Sequence, residues 1–111
     1  MSDWDLRRQQ LQETVDERPA EYRPETIENA NDVLNLLQEA GCTPPEIGPG
    51  YWPTISIGWF PKSAPSFEVF EDRVEVYHLG EGQFEVWYEP HIPGQSFSAE
   101  FMAELTAIPK P

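Results

Sequence analysis

The sequence predicts an α+β fold: a four-stranded, mainly antiparallel sheet with helices packed on one face, in the order α-α-β-β-β-β-α. Three observations predict it. Apolar residues recur at helical spacing before Gly41 and again after Ser98, and they alternate with polar residues between Ile55 and Tyr88. The 111 residues, 39% of them hydrophobic, suffice for one core and therefore for a single domain, 1–111. The 12 prolines and 7 glycines fall between the patterned stretches, where they punctuate turns and form no low-complexity tract.

Trp4, Leu11 and Val15 define a first helix from Asp3 to about Glu17, opened by Ser2 and Asp5 in capping-box arrangement. Its apolar stripe is only about 40° wide. Residues 1–18 are therefore expected to dock loosely, or to be completed by another chain. Pro19 and Pro24 bracket a connector, and Pro24 with Glu25 and Glu28 suits the start of a second helix that Gly41 ends. Ile27, Ala30, Val33, Leu34, Leu37 and Ala40 share an arc of roughly 140°, with Leu36 at its margin, which makes this the core helix. Glu28, Asn29, Asn31, Asp32, Asn35 and Glu39 form its solvated side.

Cys42 to Pro53 reads as a crossing segment, because Pro44-Pro45 and Gly48-Pro49-Gly50 cannot enter a central strand. Alternation then gives four strands: Ile55, Ile57 and Trp59; Phe67 and Val69; Val74, Val76 and His78; Phe84, Val86 and Tyr88. Trp59, Phe67, Val76 and Val86 are expected in the core. A two-residue loop at Glu71-Asp72 sets Glu68 opposite Glu75 and Ser66 opposite Tyr77. A three-residue loop at Gly80-Glu81-Gly82 would set Tyr77 opposite Glu85, Glu75 opposite Trp87 and Arg73 opposite Glu89. Both registers gather Phe67, Val69, Val74, Val76, Phe84 and Val86 on one face. A closing helix from Ser98 buries Phe101, Leu105 and Ile108, with Phe97 stapled onto Met102 and Pro109 at its end.

Twenty acidic against seven basic residues give a net charge of −13, which leaves no basic patch for a phosphate backbone, so direct nucleic-acid binding is disfavoured. The acidity is spread, with 10 acids and 4 bases up to Gly41 and 8 and 2 from Cys42 to Gln95. The acidic N-terminus and the lack of a long apolar run lead to the expectation of neither an ordinary signal peptide nor a membrane helix. Cys42 stands alone, which excludes a disulfide within the chain or a cysteine zinc site and points to the reducing cytoplasm. No cofactor, metal or catalytic set is expected. His78 reads as a satisfied semi-buried histidine and His91 as an exposed loop histidine, and no motif of hydrolase, metalloprotease or phosphate-loop type is present.

The face opposite the core is more informative. It gathers Glu68, Phe70, Glu75, Tyr77, Glu85, Trp87 and Glu89 around one counter-charge, Arg73. Facing glutamates repel, and a partner's Lys or Arg would relieve them, with cation–π contacts open to the aromatics. The competing expectation is that the Trp4/Leu11/Val15 helix covers Phe70, Tyr77 and Trp87. The first functional reading is a non-enzymatic inhibitor of antitoxin, immunity or phage anti-defence type that covers a basic surface of a partner protein. The second is an acidic secretion-type chaperone, a homodimer holding an extended client. A third is a small-ligand enzyme or sensor using His78, Tyr88 and the Pro/Gly crossing loop.

The run Ala30 to Phe60, with Val33-Leu34, Leu36-Leu37, Ala40-Gly41, Pro44-Pro45-Glu46-Ile47 and Ile55-Ser56-Ile57-Gly58-Trp59, resembles small uncharacterised bacterial α/β accessory proteins of toxin-linked and mobile-element neighbourhoods. In size and acidity the chain also resembles phage-encoded inhibitors of bacterial defence. Neither resemblance implies a catalytic residue.

Overall fold

A computed structural model describes residues 2–51, 53–59, 64–80, 83–108 and 110. Helix α1 (Asp3–Glu17) and helix α2 (Pro24–Glu39) come first, and strands β1 (Glu46–Pro49), β2 (Ile55–Gly58), β3 (Ser66–Val69), β4 (Arg73–Gly80) and β5 (Gln83–Pro90) follow. Helix α3 (Ala99–Glu104) then tightens into a 3₁₀ turn over Leu105–Ala107. The strands form one antiparallel meander in sequence order. The class is thus α+β, with five strands in place of the expected four. The added strand is β1, and its Gly48-Pro49 pair fits because β1 lies at the sheet edge, where proline's missing N–H costs no ladder bond.

Local signals place the helix ends. The Ser2 hydroxyl accepts the Asp5 N–H while the Asp5 carboxylate accepts the Ser2 N–H, both at 3.1 Å, closing the capping box. Pro24 occupies the first turn of α2, and Gly41 takes φ +74° just past its end. Ser98 caps α3 through the Phe101 N–H.

All three helices contribute to one core on one side of the sheet. Ala30, Val33, Leu34 and Leu37 of α2 are buried with Ile55, Ile57, Phe67, Val69, Val74 and Val76 of the strands and with Phe101, Leu105 and Ile108. The Phe67 ring meets Trp59 edge-on at 5.8 Å and Phe101 at 5.2 Å. Trp59 is anchored by its indole N–H, which donates to the Thr43 carbonyl at 2.7 Å.

Helix α1 departs from expectation. Leu11 and Val15 are 3% and 7% exposed, Trp4 packs against the cluster, and Arg8 reaches the side chains of Asn35 and Gln38 on α2 at 2.7 and 2.9 Å. A narrow stripe buries well here because the helix lies in the corner between α2 and β1, where few residues meet many neighbours. It therefore does not cover Phe70 and Tyr77. No helix among the described residues is long and apolar enough to cross a membrane.

Candidate functional site

The β3–β4 register is the expected one, with Ser66 opposite Tyr77, Phe67 opposite Val76 and Glu68 opposite Glu75. Period-2 alternation therefore sends Phe67, Val69, Val74 and Val76 to the helices and Glu68, Glu75 and Tyr77 to the outer face. The β4–β5 register differs by one residue. Gly80 pairs with Gln83, Val76 with Trp87 and Val74 with Glu89, so the connection is two residues, Glu81 and Gly82, which lie outside the described residues.

That single step moves the side chains of β5 to the opposite faces. Glu85, Trp87 and Glu89, expected on the outer face, lie on the helix side. Glu89 is 5% exposed and accepts both the N–H and the hydroxyl of Ser98 at 2.6 Å, so it fixes the residue that caps α3. Trp87 packs against the core, and Glu85 stands opposite His78, which pairs with Glu104 at 2.5 Å. Val86 and Tyr88 take the outer positions. They are 46% and 61% exposed, so Val86 is not the core residue that its pattern implied. The side chain of Phe84, also expected in the core, lies outside the described residues.

Glu68, Phe70, Glu75 and Tyr77 do come together, and their opposed charges are satisfied internally. The Tyr77 hydroxyl lies 2.6 Å from Glu75 Oε1 and 3.0 Å from Glu68 Oε2. Glu68 Oε1 accepts the Tyr51 N–H at 2.6 Å and the Thr54 hydroxyl at 2.9 Å. Glu75 Oε2 accepts Arg73 Nε at 3.1 Å, and the same guanidinium lies 3.8 Å above the Phe70 ring centroid. Burial first, then the hydrogen bonds to Glu75 and Glu68 and their negative charge, push the Tyr77 phenol well above its ordinary value.

This clasp pulls the loop after β1 over the sheet. Gly50 makes the close approach possible, because a Cβ there would lie 1.9 Å from Thr54 Oγ1 and 2.7 Å from Glu68 Oε1. The result is a shallow depression of about 750 Å³ walled by Pro49, Tyr51, Ser66, Glu68, Phe70 and Tyr77. Tyr51 stands beside it with its side chain almost wholly in solvent. Chemically this surface offers aromatic planes, hydroxyls and carboxylate oxygens, a set suited to holding cationic and apolar groups.

His91 is a second correction. It is 1% exposed, its Nε2 lies 2.9 Å from Asp32 Oδ2, and its ring stacks on Phe97 at 4.2 Å. Phe97 stacks in turn on Phe101 instead of stapling onto Met102, which is left 43% exposed. Asn29, expected on the solvated side of α2, is fully buried and reaches the carbonyls of Phe70, Glu71 and His91. The other His91 ring nitrogen, Nδ1, is buried without a hydrogen-bond partner among the described residues, and Asp32, which also accepts the Gly94 N–H at 2.9 Å, ties the loop after β5 to α2. Among the described residues no cluster of His, Cys, Asp and Glu is placed to hold a metal ion.

The chain matches no family model, no curated protein and no solved structure. The exposed large side chains beside the Glu68–Tyr77–Glu75 clasp are Val86, Tyr88 and Tyr51. The period-2 alternation of β5 was visible in the sequence. Which alternate set faces outward depended on the loop length.

Proposed function

We propose that the protein is a non-enzymatic binding module, an inhibitor of antitoxin, immunity or phage anti-defence type, that covers a basic surface of a partner protein with the outer face of its sheet. One observation carries this reading: among the described residues no helix lies over that face, and it exposes Tyr88 and Val86 next to a directly opposed glutamate pair. A net charge of −13 supports attraction to a cationic surface, and seven basic residues in all support a protein partner over nucleic acid. The single, buried Cys42 agrees with action in a reducing cytoplasm.

The role of individual residues changes from the sequence expectation. Glu68 and Glu75 act mainly as fixed background charge, since their oxygens already hold Tyr51, Thr54, Tyr77 and Arg73. Tyr88 replaces Trp87 as the aromatic anchor. A partner captured from the source cells, purified and bound again should lose affinity on Tyr88→Ala by about 2 kcal/mol, the scale of an aromatic hot spot. Its association rate should fall as salt is raised. Equal binding by wild type and Tyr88→Ala, with no salt dependence, would place the interface elsewhere.

The second reading, an acidic homodimeric chaperone of secretion type, draws support from a different feature, the open edge of β5.

A further inference from the structure

The two edges of the sheet are built differently. At one edge, β1 is four residues long, carries Pro49 and has α1 packed along it. Those are ordinary protections against strand addition. The opposite edge, β5, is eight residues long, has β4 as its only strand neighbour among the described residues, and holds a single proline at its last position. Its outer side chains Val86 and Tyr88 are exposed.

Hydrogen-bond phase fixes which backbone groups that edge presents. The Phe70 N–H donates to the Arg73 carbonyl at 2.8 Å, so the backbones of Arg73, Glu75 and Tyr77 point to β3 and those of Val74, Val76 and His78 point to β5. Their partners Glu89, Trp87 and Glu85 point back, and the His91 N–H to Asp72 carbonyl bond at 3.0 Å continues the same phase. The N–H and C=O groups of Phe84, Val86 and Tyr88 are left aimed away from the sheet.

We propose that this edge pairs with β5 of a second copy of the chain, antiparallel and centred on Val86, to form one continuous ten-stranded sheet from two of five. Among axes at the central residues Glu85, Val86 and Trp87, the register follows from elimination. Two-fold symmetry with matching faces requires the axis to pass through a residue position. An axis at Glu85 sets that glutamate against itself. At Trp87 the axis sets Glu85 against Glu89 and Phe84 against Pro90, which has no N–H. An axis at Val86 sets Val86 against Val86, Phe84 against Tyr88 and Glu85 against Trp87. It forms roughly six backbone hydrogen bonds with no like charges opposed.

The inference does not rest on the inhibitor reading and shares its edge with the homodimer reading, and pairing would bring Val86 and Tyr88 of both copies onto one outer surface. Each copy is strongly negative, and at physiological salt charges more than about 8 Å apart are largely screened. Salt should therefore strengthen self-pairing, whereas it weakens attachment to a basic partner.

Sedimentation velocity of the full chain across a range of concentrations, at low and physiological salt, tests the proposal. The expected result is a reversible dimer whose fraction rises with concentration and with salt. Val86→Pro removes the central outward N–H, which an edge strand tolerates, and should give a monomer with unchanged circular dichroism, while Val86→Thr keeps the dimer. The register is read separately by treating Val86→Cys with a short bis-thiol-reactive cross-linker, since hydrogen-bonded opposite residues lie about 5.5 Å apart, within that reagent's span but wide at Cβ for a direct disulfide. That variant should form a covalent dimer, and Tyr88→Cys and the wild type with its buried Cys42 should not. A wild-type chain that stays monomeric at every concentration, or a Val86→Cys chain that does not cross-link, overturns the proposal even if Val86→Pro fails to fold.

Discussion

Tyr77 has one hydroxyl hydrogen and two carboxylates within reach, so it donates to one at a time while holding both in place. Tyr77→Phe leaves those oxygens without that donor, and the expected cost is about 1–2 kcal/mol, read from a urea unfolding midpoint. The pH dependence has a definite sign. The folded phenol titrates above its unfolded value of 10.0, so its contribution is complete below that value and is lost as pH rises through the higher folded pKa. Burial also raises Tyr22, which is why the comparison needs the variant. Stability should fall less steeply above pH 10.0 in Tyr77→Phe than in the wild type. Parallel alkaline profiles in the two proteins would contradict the clasp.

At the scale of elements, α1 joins a weak sequence pattern to a strong structural position. Leu11→Ala removes a side chain that is 3% exposed, at a corner where three elements meet, and should cost about 2–4 kcal/mol. Leu6, 40% exposed on the same helix, should tolerate alanine within about 0.5 kcal/mol. Equal effects of the two changes in chemical denaturation would mean that α1 is only loosely attached. Strand β5 makes the complementary point. Its alternation offered Phe84, Val86 and Tyr88 as one set and Glu85, Trp87 and Glu89 as the other, and the more apolar set faces away from the helices at Val86 and Tyr88. The inner set is held by Ser98 on Glu89 and by the packing of Trp87, contacts that no local pattern encodes.

Across the whole molecule, a charge of −13 acts against compactness, and few ion pairs among the described residues offset it. Arg23 with Glu71, Arg18 with Glu21 and Arg73 with Asp72 are all well exposed on at least one side and contribute little. Raising ionic strength from about 0.01 M to about 0.15 M shortens the screening length from roughly 30 Å to about 8 Å. The melting temperature should rise over that range by a few degrees, which calorimetry would measure. A melting temperature that falls with salt would mean that attractive pairs outweigh the net repulsion.

The sequence by itself determined the class, the extents of α1, α2 and α3, the four strands after Pro53 and the β3–β4 register. Each of these rests on a short-range cause: a 3.6- or 2-residue period, a cap, a proline or a two-residue turn. Only the tertiary structure decided the rest. Strand β1 forms because an edge accepts proline, and the β4–β5 register follows a loop whose length the apolar pattern cannot count. Local pattern places Asn29 and His91 in solvent, yet they are buried because they meet across 62 residues of chain, with Asp32 closing the site. Local periodicity reports which side of an element is apolar. Whether a polar residue is buried depends on partners that only the folded chain brings to it.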